Sequence, residues 1–198
     1  MKILAFADIH GSLTALENIK KLVEKEKPDI LIDCGDISVF ENDLEYLISR
    51  LDKFKIKCLM IHGNHEGKEF MEHACSKYKN IIFLHNKTYR DGNYFFYGFG
   101  GGGFALNDKK FEKEADKQMK NKRMNDILVL ITHGPPHKTK LDELWGESAG
   151  NKSINRVINK YKPVIALSGH LHENSGKQDK IGRTKVINPG PYGKIIVI

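Results

Sequence analysis

A chain of 198 residues, 40% hydrophobic and 29% charged, is long enough to bury one core and short enough to need no second, so residues 1–198 are expected to form a single domain. No apolar run approaches the roughly 20 residues that cross a bilayer, and Met1-Lys2-Ile3-Leu4-Ala5 leads straight into a strand rather than a leader peptide. Cys34, Cys58 and Cys75 lack paired spacing, which argues against a disulfide framework and for free thiols in a soluble, cytoplasmic protein. The net charge of +7 is scattered, and its densest stretch, Asp108 to Arg123, mixes lysines with Glu112, Glu114 and Asp116 as a solvated helix face would. A nucleic-acid partner is therefore disfavoured, although a positive field would draw in an anionic ester.

The first apolar run, Ile3 to Ala7, predicts a strand. A helical stripe of Leu13, Leu16, Ile19, Leu22 and Val23 follows between Ser12 and Lys27, with Thr14 and Glu17 at capping-box spacing and Pro28 as a stop. Asp29 to Asp33 reads as a strand, Asp43 to Leu51 as a helix and Lys57 to Ile61 as a third strand. That alternation implies parallel strands with right-handed crossovers. A helix is expected over Lys68 to Lys77 and a strand over Asn80 to Leu84; Thr88 to Gly98 then reads as a hairpin turning at Asp91-Gly92-Asn93. Gly100 to Gly103 lacks the Lys-Ser/Thr of a P-loop and the dinucleotide fingerprint, so it reads as a flexible or tightly approached loop near the site. Beyond it lie a helix at Asp108 to Lys122, a strand at Asp126 to Ile131, a long loop, a helix at Lys152 to Lys160 and a strand at Pro163 to Leu167. Three strands at Asn174 to Asp179, Arg183 to Ile187 and Lys194 to Ile198 complete the chain. Two β-rich layers with helices outside suit a four-layer α/β/β/α sandwich with mixed sheets.

The apolar runs share one feature: each is followed by acidic, amide or imidazole residues. They are Asp8-Ile9-His10, Gly35-Asp36, Gly63-Asn64-His65-Glu66, His133-Gly134 and Gly169-His170-Leu171-His172. Such placement delivers ligands to one edge of one sheet. On an extended segment the period of two puts Asp8 and His10 on the same side, able to share a metal. His170 and His172 repeat the spacing, with a strand-end twist able to send them to different ions. Gly35 permits a tight strand exit before Asp36, whose two oxygens can bridge two cations, while Asn64 offers a neutral oxygen and His133 a further imidazole. Mixed oxygen and nitrogen donors without Cys point to Mn²⁺ first, with Fe, Ni²⁺ or Zn²⁺ as alternatives.

The ordered set D-x-H, G-D, G-N-H-[D/E], H and G-H-x-H, spanning Asp8 to His172, resembles the calcineurin-like metallophosphoesterase family. The resemblance implies that Asp8, His10, Asp36 and His172 hold one ion and that Asp36, Asn64, His133 and His170 hold the other. It implies a catalytic His65 that protonates the leaving oxygen, with Glu66 positioning it, after direct attack by metal-bound hydroxide. Asn64 and His65 would also border the substrate, and His137, close to His133, would either touch it or face solvent. The protein-phosphatase branch carries Asp-Arg-Gly after G-D, whereas Ile37-Ser38-Val39-Phe40 follows here, so a small-phosphodiester phosphodiesterase is the preferred reading. A phosphomonoesterase and a non-catalytic metal-binding scaffold remain alternatives, and a homodimer stays open. His62, His73 and His85 are expected to be structural or surface residues, Trp145 a packing residue with a lid or partner contact as the alternative, and Lys68 and Arg90 are open as phosphate contacts.

Overall fold

The computed structural model describes residues 1–198. In chain order its elements are β1 (Lys2–Phe6), α1 (Leu13–Glu26), β2 (Ile30–Asp33), α2 (Leu44–Asp52), β3 (Cys58–Met60), α3 (Lys68–Ser76), β4 (Ile81–Phe83), β5 (Lys87–Asp91), β6 (Tyr94–Phe99), α4 (Lys109–Met119), β7 (Ile127–Thr132), β8 (Glu143–Leu144), β9 (Glu147–Ser148), α5 (Lys152–Tyr161), β10 (Ile165–Leu167), β11 (Gln178–Ile181), β12 (Thr184–Ile187) and β13 (Lys194–Val197). One sheet runs β13-β1-β2-β3-β4 and the other β11-β12-β10-β7-β6-β5. In the first sheet β1 to β4 are parallel and β13 is antiparallel to β1. In the second, β12, β10, β7 and β6 are parallel, with antiparallel β11 and β5 at its edges.

The layering follows from the period of two along each strand. Leu4, Phe6, Leu31, Cys58 and Met60 face outward into a core shared with α1, α2 and α3. Their neighbours Ile3, Ala5, Ile30, Ile32 and Leu59 face inward and meet Phe96, Val129, Ile131, Ile165 and Leu167 of the second sheet. Phe95, Tyr97, Leu128, Leu130 and Ala166 then face α4 and α5. Strands buried on both faces must be apolar throughout, which is why their runs are continuous in the sequence. The result is an α/β/β/α sandwich.

Several local expectations change. Ser12, not Thr14, caps α1: its Oγ accepts the Ala15 N–H at 3.2 Å. Leu13 is consequently left exposed at the first turn, outside the buried stripe. The loop after β7 contains a small hairpin, β8–β9, with Trp145 and Gly146 both at positive φ in its turn. Trp145 is 92% exposed and packs in no core. The strand expected from Asn174 starts only at Gln178, because His172–Asn174 forms a 3-10 turn. All three cysteines are buried and free. No helix is long and apolar enough to cross a membrane.

Candidate metal centre

The motif residues lie at the C-terminal exits of β1, β2 and β3 in one sheet and of β7 and β10 in the other. The expectation of a single sheet edge is thus corrected: two sheets contribute. Their exit loops are bonded to each other. Asp8 N–H donates to Gly35 O at 3.0 Å, His10 N–H to Asp36 O at 3.0 Å and Gly169 N–H to His133 O at 2.9 Å.

The extended geometry expected at Asp8-x-His10 is also absent. Asp8, His10, Asp36 and His170 all have left-handed backbones, with φ of 56°, 47°, 57° and 72°. Such conformations are uncommon for residues with a Cβ and cluster at functional sites, where surrounding structure holds them. Here the sharp turn at each strand exit, rather than strand alternation, aims the side chain. Gly63 makes one such turn viable, since a Cβ there would lie 1.9 Å from Asp36 Oδ1.

The donors gather in overlapping groups: Asp8, His10 and His172; His10, Asp36 and His65; Asp36, His133 and His170. Asp36 Oδ2 stands 3.8 Å from His10 Nε2 and 3.3 Å from His133 Nε2. Asn64 Oδ1 is 3.0 Å from His133 Nε2. His172 Nε2 lies 2.9 Å from His10 Nε2 and 3.9 Å from Asp8 Oδ1. Asp8 also accepts the His170 N–H with both oxygens at 3.0 Å.

These donors fit divalent cations on their own chemistry. The carbonyl of Cys34, which can only accept, lies 2.9 Å from His133 Nδ1 and so requires a proton there. In the neutral ring the lone pair of Nε2 then points at the oxygens of Asn64 and Asp36, so that nitrogen must carry either a proton or a metal ion. His10 and His172 likewise aim two ring nitrogens at each other, and His170 Nε2 is buried without a partner. The set contains nitrogen and oxygen but no sulfur, matching borderline divalent metals.

The electrostatics agree. Burial opposes ionisation of Asp36, but the hydrogen bond and charge of His133 outweigh it and bring the pKa down to about 2. Burial opposes protonation of His133, and Asp36 overcomes it, raising the pKa to about 8. His170, desolvated and facing His133, falls to about 4. Burial raises Asp8 and lowers His10. A buried carboxylate among several imidazoles already shares protons that metal ions would displace.

His65 lies among these groups, its ring centroid 4.7 Å from that of His10, and its Nδ1 is buried without a protein partner. The His65 backbone N–H donates to Asp36 Oδ1 at 2.9 Å. Glu66 makes no hydrogen bond to the His65 ring. It accepts instead from Asp36 N, Gly63 N, Ser38 N and Ser38 Oγ at 2.8–3.1 Å, clamping the two exit loops together. Ser38 had no motif to signal it. His137 is tied to its own loop: Nδ1 lies 3.3 Å from Ser148 Oγ and 3.6 Å from Asp142 Oδ2. Arg90, on β5, is paired with Asp126, which precedes β7. His85 Nδ1 accepts the Gly100 N–H at 2.9 Å, and Gly100 and Gly101 pack closely on His62, so both imidazoles support the glycine loop. Gly190 O accepts the Ala7 N–H at 3.1 Å, bringing the Asn188 to Pro191 turn beside the β1 exit.

A four-layer sandwich with nitrogen and oxygen donors at its strand exits defines the class of metal-dependent phosphoesterases. The sequence profile described as calcineurin-like phosphoesterase matches residues 1–174, and the chain belongs to that family. It is 31% identical over 204 residues to the uncharacterized protein MJ1162 of Methanocaldococcus jannaschii, covering 96% of this chain and 88% of that one. Its fold is similar to TT1561 of Thermus thermophilus, with a TM-score of 0.74, 17% identity and coverage of 96% and 88%. It is also similar to a dimetal phosphatase from Danio rerio, with a TM-score of 0.69, 12% identity and coverage of 95% and 86%. At such identities the structural likeness establishes the fold alone.

Proposed function

We propose that this protein is a dinuclear phosphodiesterase acting on small phosphodiesters. The observation that carries the reading is the position of Asp36, whose Oδ2 lies between His10 Nε2 at 3.8 Å and His133 Nε2 at 3.3 Å, so that one carboxylate serves two donor groups. Asp8, His10, Asp36 and His172 would hold one cation, and Asp36, Asn64, His133 and His170 the other. Two divalent ions bound there supply Lewis-acid stabilisation of phosphoryl charge and an activated water.

The protein's own residues contribute the rest. The His65 ring carries the proton for the leaving oxygen, and the bond from the His65 backbone N–H to Asp36 anchors the residue beside the centre. A positioned general acid contributes about 10²- to 10⁴-fold, far short of the up to roughly 10²¹-fold that phosphate monoester hydrolysis can require, so the acid acts together with the ions. Glu66 holds the Asp36 and Gly63 backbones in register. The diester preference is supported by charge: none of the arginines, at 50, 90, 123, 156 and 183, falls within the five motif segments. A monoester dianion is commonly clamped by a bidentate guanidinium, whereas a singly charged diester needs less.

The test is hydrolysis of bis-p-nitrophenyl phosphate and p-nitrophenyl phosphate by chelator-stripped protein, before and after Mn²⁺ is added. Restored diester turnover is expected. Preference for the monoester would make the protein a phosphatase, and a metal-loaded protein inert to both would make it a scaffold.

A further inference from the structure

Two phenylalanines project into solvent while touching imidazoles of the cluster. Phe40 is 73% exposed, yet its ring centroid lies 4.5 Å from that of His65. Phe104 is 63% exposed and its ring lies 4.6 Å from His170. His65 neighbours His10 and His170 neighbours His133, so the two phenylalanines border different ends of the donor set. An aromatic ring left in water forgoes the stabilisation that burial would bring.

The chain holds Phe40 outward on fastened flanks. On one side Ser38 donates its N–H and Oγ–H to Glu66 at 2.8 and 2.9 Å. On the other, Glu41 Oε1 accepts the Gly67 N–H at the start of α3 at 2.7 Å. Between these anchors the backbone is left-handed at Phe40, with φ of 48°, and at Glu41, with φ of 66°. Such strain in a loop tied at both ends is characteristic of ligand clamps. The His65 imidazole is the one ring that Phe40 meets within the protein, and Phe40 belongs to no core cluster.

We infer that Phe40 is a stacking shelf for a planar aromatic group on the leaving arm of the substrate, with Phe104 a second shelf on the His170 side. The substrate class is then a phosphate ester bearing a nucleobase or aryl group. This deepens the phosphodiesterase reading and rests on it for the leaving-group role of His65. The alternative is that each phenylalanine only packs against its imidazole, in which case ligand aromaticity is irrelevant to binding.

The experiment compares equilibrium binding of adenosine 5′-monophosphate and ribose 5-phosphate to Mn²⁺-loaded protein, since the two share the sugar phosphate and differ in the base. Stacking predicts about tenfold tighter binding of the nucleotide, as base stacking on one aromatic residue typically provides. That advantage should shrink several-fold in Phe40→Ala and in Phe40→Leu, and survive in Phe40→Trp. Thermal melting establishes that each variant is folded, as expected for so exposed a position. Equal affinities in the unaltered protein, or a nucleotide preference unchanged in Phe40→Ala, would overturn the Phe40 shelf, and a preference unchanged in Phe104→Ala would overturn the second. Binding requires no turnover, so an inert protein that prefers the base keeps the shelf and loses the hydrolytic reading. An active diesterase indifferent to the base does the reverse.

Discussion

Glu66 Oε2 accepts the backbone N–H of Asp36 at 3.1 Å, across a sequence separation of 30 residues. The same carboxylate takes the Gly63 N–H at 2.9 Å and two donors of Ser38. One buried side chain therefore sets the spacing between the loops that carry Asp36 and Asn64. Glu66→Gln turns one acceptor oxygen into a donor facing N–H groups. The loss should be about 1–3 kcal/mol, read as a fall of several degrees in melting temperature together with weaker metal retention. A variant of unchanged melting temperature and altered pH–rate profile would instead make Glu66 a partner in proton transfer.

With Asp36 as the proposed bridge between two ions, Asp36→Asn should lower bound metal toward one ion per chain or fewer, because a neutral amide bridges two cations poorly. Metal analysis of the purified variant checks this. Full stoichiometry would remove Asp36 from the bridging position.

With His65 as the proposed general acid, His65→Ala should leave the metal content unchanged and slow cleavage of alkyl phosphodiesters by about 10²- to 10³-fold, with a far smaller effect on p-nitrophenyl esters, whose leaving group scarcely needs a proton. The contrast between substrates is the diagnostic. Equal losses on both would assign His65 to substrate positioning.

The pH dependence of the metal-free protein follows from the Asp36–His133 pair. His133, raised from 6.5 to about 8, contributes stability that is full below 6.5 and lost as pH rises through about 8. Asp36, lowered from 3.8 to about 2, contributes above 3.8, and its share is lost as pH falls through about 2. With His133 as a proposed ligand, metal binding displaces its proton, so the gain in melting temperature on adding Mn²⁺ should grow between about pH 6 and pH 8 and then level off. Melting curves with chelator and with metal, recorded across that range, test it. A gain independent of pH would mean that no proton leaves on binding.

Gly63→Ala should act like a partial loss of Asp36, since the added Cβ would stand 1.9 Å from its Oδ1. Reduced metal occupancy in a folded variant is expected. Unchanged occupancy would show that the Asp36 loop can move aside.

Most of the helices and strands were legible because their signals are local. Continuous apolar runs marked β1, β2, β3 and β7, a helical stripe marked α1 despite its misplaced cap, and Asp91-Gly92-Asn93 marked the β5–β6 hairpin. The β8–β9 hairpin and the 3-10 turn at His172 were not, since each is shorter than any periodicity can register. Trp145 was misread for a related reason: residue type predicts burial only through a neighbourhood, and this one sits on a hairpin turn.

The sequence by itself determined which residues bear donor atoms, their order, and that each follows a strand, because apolar patterning and residue chemistry are properties of short segments. Only the tertiary structure decided that two sheets share the site, that left-handed turns rather than strand alternation aim Asp8, His10, Asp36 and His170, that Glu66 ties loops instead of His65, and that Phe40 and Phe104 stand at its edge. Those features depend on hydrogen bonds and packing between residues far apart in the chain, which no local pattern records.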